Sequence, residues 1–217
     1  MQNTAPVYTE KSNCQDCYRC VKACPVKAIK LESGSASIVP DLCIYCGTCT
    51  LICPNGTKKV RNDLALLKQS LMRQEKIIVS LAPSYLSEYA KEDIHKVIAA
   101  FKEAGFWQVS ETAIGAEKVA EATKAWIDEQ PNGVYISSCC PSAVQLIKKY
   151  YPEYSSYVVP VFSPMITHSL FLKSIYPNVK VAFVGPCAAK KSELDQFHDK
   201  IDFVLTFQEI KELFDDM

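Results

Sequence analysis

The C-terminal two thirds of the chain alternate between short apolar runs and longer stretches with helical spacing. The apolar runs predict strands at residues 77–81, 106–110, 134–137, 179–184 and 202–206. Helices are predicted between them at residues 85–104, 115–129, 142–150 and 165–175, with stop signals at Gly105 and Pro131-Asn132-Gly133. Because strands and helices alternate, we predict an α/β domain with a mainly parallel sheet.

The N-terminal part has a different pattern. The stretch AIKLESGSASIVP predicts two short strands around a Gly/Ser turn. Leu64, Leu67 and Leu71 stand at helical spacing in a charged segment and predict a connecting helix. The sequence therefore predicts an α+β head over residues 1–60, a connecting helix over residues 61–76 and an incomplete α/β domain over residues 77–217.

Charge and hydropathy exclude several classes of protein. Lys and Arg together number 24, as do Asp and Glu, so no charge excess favours nucleic acid or an anionic membrane surface. No run approaches the roughly 18 apolar residues of a membrane helix, and the polar start MQNTAPVYTE is unlike a signal peptide. We therefore expect a cytoplasmic protein that binds neither nucleic acid nor membrane.

Eleven cysteines are unusual for a cytoplasmic chain, where disulfides are rare, and they direct attention to metal ligation. Eight of them form two runs of C-x-x-C-x-x-C-x-x-x-C-P, related by an offset of 29 residues. In two-cluster bacterial ferredoxins, the fourth cysteine of such a run binds the other 4Fe-4S cluster. Cluster one is therefore predicted to take Cys14, Cys17, Cys20 and Cys53, and cluster two Cys24, Cys43, Cys46 and Cys49. Zinc is the alternative, but zinc sites use two pairs of ligands and not doubled runs of four.

Three unusual stretches follow predicted strands of the body. They are Ala82-Pro83-Ser84, Ser138-Cys139-Cys140-Pro141 and Gly185-Pro186-Cys187. In parallel sheets ligands bind outside the carboxyl ends of the strands, so Cys140 and Cys187 could share a metal site there. Two buried structural cysteines are the alternative, whereas a disulfide between Cys139 and Cys140 would be strained.

The head followed by APS, SSCCP and GPCAAKKSE resembles the iron-only (FeFe) hydrogenases over essentially the whole chain. The resemblance implies that Cys140 and Cys187 bind the 4Fe-4S part of the H-cluster, and that Cys139 shuttles protons to the diiron subcluster. It further implies that Lys190 hydrogen-bonds a cyanide ligand and that Glu193 lies on the proton path. The remaining positions that it implies are Pro83 and Ser84, lining the diiron pocket, and Glu117 and Ser163, continuing the proton path.

The residues alone allow a simpler interpretation of the charged positions. Lys190-Lys191 could be a solvated face after a loop, and Glu193 a charge at a helix start, since most charge runs lie at the surface.

Two positions depart from the catalytic members of the family. Gly185 stands where most of them have methionine, and Ala143 where they have tryptophan. With FVGPCAAKK and VVPVFSPM, these residues resemble the sensory branch, although Cys139, which many sensory members lack, is present.

The family's third loop, E-x-M-x-C-x-x-G-C, supplies two further cysteines, and no cysteine follows Cys187. We therefore expect a fragment or truncated product that is inactive alone, completed by a C-terminal continuation or by another chain.

The resemblance implies an iron-sulfur protein of anaerobic metabolism with two functional alternatives. In the first, the head relays electrons from a redox partner protein or ferredoxin to the H-cluster, where protons and hydrogen interconvert or hydrogen is sensed. In the second, the chain is a plain 4Fe-4S electron-transfer module whose body docks a partner or senses redox state. The predicted cofactors are two 4Fe-4S clusters, with an H-cluster only if the domain is completed.

Overall fold

The computed structural model describes residues 5–10, 14–32, 34–89, 93–130 and 133–216. The chain forms two compact units. The first unit comprises Met1–Arg61, Pro141–Ser156 and Cys187–Ser192, and the second comprises Asn62–Cys140, Tyr157–Pro186 and Glu193–Met217. The domain boundaries that the sequence predicts at residues 60 and 76 stay predictions.

The described residues contain short strands and mostly short helices. The strands are β1 Val7–Thr9, β2 Ile29–Glu32, β3 Ser35–Ile38, β4 Lys58–Val60, β5 Ile77–Leu81, β6 Gln108–Glu111, β7 Lys180–Val184 and β8 Phe203–Leu205. The helices are α1 Arg19–Ala23, α2 Thr48–Ile52, α3 Leu64–Met72, α4 Tyr85–Glu88, α5 Ile94–Glu103, α6 Ala113–Asp128, α7 Pro141–Tyr150, α8 Pro164–Ile175, α9 Lys190–Gln196 and α10 Phe207–Asp215. A 3₁₀ turn covers Pro152–Tyr157.

The first unit contains two antiparallel strand pairs, β1 with β4 and β2 with β3. The β2–β3 pair confirms the predicted hairpin, whose described turn residue Gly34 has a φ of 73°. Val7, Ala28 and Ala36 form an apolar core together with buried cysteines of both runs. The pairing of β1 with β4 closes the head, because it joins the chain before the first cysteine run to the chain after the second.

The second unit is built around a four-stranded parallel sheet in the order β6-β5-β7-β8, which confirms the predicted parallel α/β domain. Every residue of β5 is buried, as expected for an inner strand covered on both faces. Strands β5, β6, β7 and β8 lie within one or two residues of the predicted runs.

One predicted strand, at residues 134–137, is wrong. Only Ile136 forms a bridge, with Val158, and Val134 is largely exposed. The ladder ends after one residue because the Val161 amide donates to the carbonyl of Val159 across Pro160, at 2.9 Å. Ser138-Cys139-Cys140 therefore does not follow a strand of the sheet.

The helix predicted at residues 85–104 is two helices, α4 and α5. The second begins at the N-cap Asp93, whose carboxylate accepts the amide of His95 at 2.8 Å. Asp93 itself has extended backbone, so a helix cannot run through it. Gly105 ends α5 as predicted, with a φ of 96° that favours glycine. Pro131 and Asn132 of the other stop signal lie outside the described residues.

Helix α8 carries a buried histidine that ties it to two strands. His168 is fully buried, and its Nδ1 lies 2.7 Å from Ser80 Oγ of β5 while its Nε2 lies 3.0 Å from Ser110 Oγ of β6. Burial lowers the pKa of His168 to about 4, so the imidazole is neutral near pH 7. Helix α6 packs closely on this region at Gly115, where an added Cβ would lie 2.3 Å from the carbonyl oxygen of Pro164.

A buried carboxylate caps two helices. Glu209 forms a capping box with Thr206 at the start of α10, accepting the Thr206 amide at 2.7 Å. Its other carboxylate oxygen accepts the amide of Asp63, the N-cap residue of α3, at 2.6 Å.

Among the described residues, no helix combines the length and the apolar character needed to cross a bilayer.

Candidate functional site

The two cysteine runs fold alike because they repeat the same backbone conformations. Left-handed residues occur at three pairs of positions related by the 29-residue offset: Asp16 and Tyr45, Tyr18 and Gly47, Lys27 and Gly56. A left-handed conformation is unfavourable for most residues other than glycine, so its recurrence outside glycine indicates that the loop geometry is imposed by its surroundings. The two runs therefore present their thiols in equivalent ways.

Amide groups point at the sulfurs in both runs. The Ala28 amide donates to Cys24 Sγ at 3.2 Å, and the Thr57 amide donates to Cys53 Sγ at 3.3 Å, at positions related by the repeat. The Ala36 amide donates to Cys14 Sγ at 3.4 Å. Hydrogen bonds of this kind stabilise thiolate, the form that binds metal.

The pKa shifts of the thiols reflect this environment. The amides of Ala36 and Asp16 lower the pKa of Cys14. Burial acts to raise the pKa of Cys53, but hydrogen bonds from the hydroxyl and amide of Thr57 bring it down to about 7. Cys14 and Cys53 therefore ionise more readily than an ordinary cysteine, whereas burial raises the pKa of Cys20.

The pKa of Cys49 shows why the thiols predicted for cluster two require a positively charged partner. Burial, followed by the neighbouring charges of Cys43, Cys46 and Cys24, raises its pKa to about 12. Four thiolates at this position would repel one another in a site with little water, and the cationic iron of a cluster would offset that repulsion. The donor set therefore fits an iron-sulfur cluster.

The electrostatic neighbours of the buried thiols follow the crossed pattern. Cys20 interacts with Cys53 and Cys14, whereas Cys49 interacts chiefly with Cys43, Cys46 and Cys24 and more weakly with Cys20. Cys53 therefore lies near Cys20 of the other run, and Cys24 lies near Cys43 and Cys49 of the other run. Cys17 and Cys46 are exposed at the ends of their loops.

In the described part of the chain, no three side chains of His, Cys, Asp or Glu are placed to hold one metal ion. Around a 4Fe-4S cluster each thiolate binds a different iron, so the sulfurs lie farther apart than around a single zinc.

In the body, the predicted site residues lie on separate segments. Ala82 continues β5, and its amide donates to the carbonyl of Val184 at 2.8 Å. Pro83 is exposed and Ser84, at the start of α4, is half-buried. Cys139 is half-buried, and Cys140 is exposed directly before α7. Cys187 is also exposed, in the turn before α9. A cluster shared by Cys140 and Cys187 stays a prediction.

The charged residues after Cys187 are buried. Lys191 has no exposed surface, and Lys190 and Glu193 are each 9% exposed. The interpretation of Lys190-Lys191 as a solvated face is therefore wrong. Glu193 does lie in the first turn of α9, as the helix-start interpretation expects. Ser163, at the N-cap of α8, is buried, whereas Glu117 on α6 is exposed.

The departure at Gly185 has a packing reason. A Cβ added there would lie 2.8 Å from the ring of Phe183 and 2.9 Å from Cβ of Ala82. Real Cβ atoms do not approach other atoms so closely, so a methionine at this position would require the neighbouring segments to move.

Two lysines near the cysteine loops were not predicted from the sequence. Lys58 is buried in β4, and Lys149 on α7 contacts the second cysteine loop. The internal repeat could have indicated that Lys58 is buried, because the equivalent position in the first half of the repeat is the apolar Ile29. No comparable signal marked Lys149, since a Lys-Lys pair in the last turn of a helix is typical of a solvated end.

Comparisons with known proteins assign both parts of the chain. A family model described as "Iron only hydrogenase large subunit, C-terminal domain" matches residues 75–217, and one described as "4Fe-4S dicluster domain" matches residues 6–61. The chain is 27% identical over 190 residues to iron hydrogenase 1 of Clostridium pasteurianum, covering 75% of this chain and 33% of that protein. It is 22% identical over 257 residues to NADP-reducing hydrogenase subunit HndD of Solidesulfovibrio fructosivorans, covering 97% of this chain and 44% of that protein.

The head also matches small proteins by itself. It is 39% identical over 49 residues to an uncharacterized ferredoxin of Methanocaldococcus jannaschii, covering 22% of this chain and 79% of that protein. The chain spans less than half the length of the two hydrogenases that it matches.

Proposed function

The chain belongs to the iron-only hydrogenase family, and we propose that its head passes electrons one at a time between a redox partner protein, such as a ferredoxin, and the hydrogenase domain. The head is a two-cluster 4Fe-4S domain, and such clusters supply one-electron oxidation and reduction. We also propose that the chain works in the cytoplasm under anaerobic conditions, where the redox partner protein supplies or accepts the electrons.

The observation that carries the proposal is the interleaving of the two cysteine runs. Cys20 lies near both Cys14 of its own run and Cys53 of the other, and Cys24 lies near Cys43 and Cys49. This placement supports the crossed assignment, in which the eight thiols of the head hold cluster one and cluster two. Two clusters held by interleaved loops of one small unit are suited to passing electrons from one to the other.

For the hydrogenase domain, we propose that Cys140 and Cys187 supply two thiolates of an H-cluster site when the domain is complete. An H-cluster supplies the interconversion of protons, electrons and hydrogen, or a response to hydrogen in a sensory protein. Cys139 would transfer protons, with Glu193 on the proton path, and Lys190 would donate to a cyanide ligand. Pro83 and Ser84 would line the diiron pocket.

The burial of two charged residues supports these roles. Lys190 and Glu193 are almost fully removed from solvent, which is uncommon for charged side chains. A buried cation is suited to an anionic cofactor, and a buried carboxylate to proton transfer away from bulk water.

The second candidate function is a plain electron-transfer module with a docking or redox-sensing body. It is supported by the head itself, because all eight thiols of the two cysteine runs belong to the first unit.

Anaerobic purification after expression with hydrogenase maturation proteins tests both candidates. The head predicts about eight irons per chain, and substantially fewer would refute the two-cluster assignment. Infrared bands of bound carbon monoxide and cyanide, or hydrogen turnover, would support the hydrogenase role. If about eight irons are present but neither the infrared bands nor hydrogen turnover is detected, the result favours the electron-transfer module.

A further inference from the structure

The 29-residue repeat gives the two predicted cluster sites partly matched surroundings. The Cys24 and Cys53 sulfurs accept equivalent amides, at 3.2 and 3.3 Å, and the left-handed residues recur at equivalent positions. Hydrogen bonds to sulfur and nearby charge are two factors that set the reduction potential of a cluster. Because the amide hydrogen bonds to Cys24 and Cys53 match, a difference between the clusters arises from groups that the repeat does not duplicate, and charged side chains are among them.

Lys58 is one such charge. Its side chain is buried with 2% of the residue exposed, and its Nζ donates to the Ala36 carbonyl at 2.8 Å and to Thr57 Oγ1 at 3.4 Å. Both contacts belong to residues that donate to the sulfurs of cluster one, since the Ala36 amide bonds Cys14 and the Thr57 amide bonds Cys53. The ammonium group therefore lies one residue away from two ligands of the same cluster.

Lys149 is a second charge of this kind, and it lies against the second cysteine loop. Its Nζ donates to the carbonyl of Cys43 at 2.8 Å and to that of Pro40 at 3.3 Å, and lies 5.3 Å from the centroid of the Tyr45 ring. The adjacent Tyr150 hydroxyl donates to the Leu42 carbonyl at 2.7 Å. Helix α7 is thus fixed to the loop of cluster two by two consecutive side chains, one charged and one neutral.

We propose that Lys58 and Lys149 are electrostatic positioning residues of different clusters, each raising the reduction potential of its own cluster. Reduction adds one negative charge, so a fixed cation stabilises the reduced cluster more than the oxidised cluster. The effect of a charge grows as solvent is excluded. Lys58 is more deeply buried than Lys149, so its charge moves the potential of its own cluster further.

The inference rests on the proposed ligand assignment, and the test separates the two. The full chain is purified anaerobically, its iron and sulfide are counted, and its two redox couples are measured by potentiometric titration followed by electron paramagnetic resonance. Lys149→Met is expected to move one couple to a more negative potential and leave the other in place. Lys58→Met is expected to move the other couple, and by more.

Three variants serve as controls. Lys30→Met removes a charge from the head at an exposed position paired with Glu32, at 2.8 Å, and is expected to move neither couple appreciably. Tyr150→Phe removes a hydrogen bond from α7 without changing charge and is expected to leave the potentials unchanged. Lys149→Arg keeps the charge and is expected to restore the potential that Lys149→Met loses.

Each outcome decides the matter. If Lys58→Met fails to retain iron, Lys149→Met with its arginine control carries the same prediction. Intact clusters whose couples do not move in Lys149→Met, or move no more than in Lys30→Met, would overturn the inference and leave the proposed electron-transfer role intact. A wild-type chain that assembles fewer than two clusters would overturn the proposed function and the inference with it.

Discussion

The buried histidine of α8 predicts that the second unit loses stability in mild acid. His168 has a folded-state pKa of about 4, against an ordinary value of 6.5, because burial disfavours the imidazolium. The unfolded chain therefore takes up a proton at a pH where the folded chain does not. Stability contributed by the neutral histidine is fully present above pH 6.5 and is lost as the pH falls towards 4.

The size of the loss follows from the two pKa values. The free energy of unfolding is expected to fall by about 2 kcal/mol between pH 7.5 and pH 5, and by about 3 kcal/mol at pH 4. Other groups also titrate in this range, so the informative quantity is the difference between the wild type and His168→Gln. Glutamine does not titrate and can still form hydrogen bonds with Ser80 and Ser110.

Urea unfolding at several pH values measures this difference. Trp107 and Trp126 both belong to the second unit, so their fluorescence reports on the unit that contains His168. The stability difference between wild type and His168→Gln should shrink or reverse towards pH 4. His95→Gln, at an exposed histidine, should follow the wild type. A difference between wild type and His168→Gln that stays constant from pH 7.5 to pH 4 would refute the reasoning.

Two further predictions concern packing and helix capping in the second unit. Gly115→Ala should lower the free energy of unfolding by about 1–3 kcal/mol, because its Cβ would meet the rigid backbone oxygen of Pro164; an unchanged urea midpoint would contradict the close packing of α6 on α8. Glu209→Gln should lower the free energy of unfolding by about 1–3 kcal/mol, because one amide at a helix start loses its acceptor, whereas Asp215→Asn, at an exposed residue of the same helix, should leave the midpoint within error.

The sequence predicted most of the parallel sheet because the strands concerned are continuous apolar runs. Strands β5 and β7 are inner strands covered on both faces, and such strands can be recognised in a sequence as continuous apolar runs. The run at residues 134–137 is equally apolar, yet it pairs at only one residue, Ile136. Whether an apolar run joins a sheet depends on its partner, and here the partner's backbone turns at Pro160, which no local pattern of the run reveals.

The cysteine runs were predictable because metal ligation imposes a strict spacing. The surrounding charges were not. Lys191 looks solvated in the sequence and has no exposed surface, and Lys58 is buried in a short strand. Burial of a lysine is decided by distant segments that pack over it, whereas the residue type alone favours an exposed position. Lys149 lies about a hundred residues from the loop that it contacts, so its position depends on the fold of the first unit.

Substitution of the fourth cysteine in each run tests the crossed assignment most directly. The anaerobically purified variants Cys14→Ala, Cys53→Ala, Cys24→Ala and Cys43→Ala are compared by iron content and electron paramagnetic resonance during reduction. We expect Cys53→Ala to perturb the same redox couple as Cys14→Ala, and Cys24→Ala the same couple as Cys43→Ala. If Cys53→Ala instead perturbed the couple affected by Cys43→Ala, each run would hold its own cluster, and the interleaved electron path proposed for this head would be contradicted.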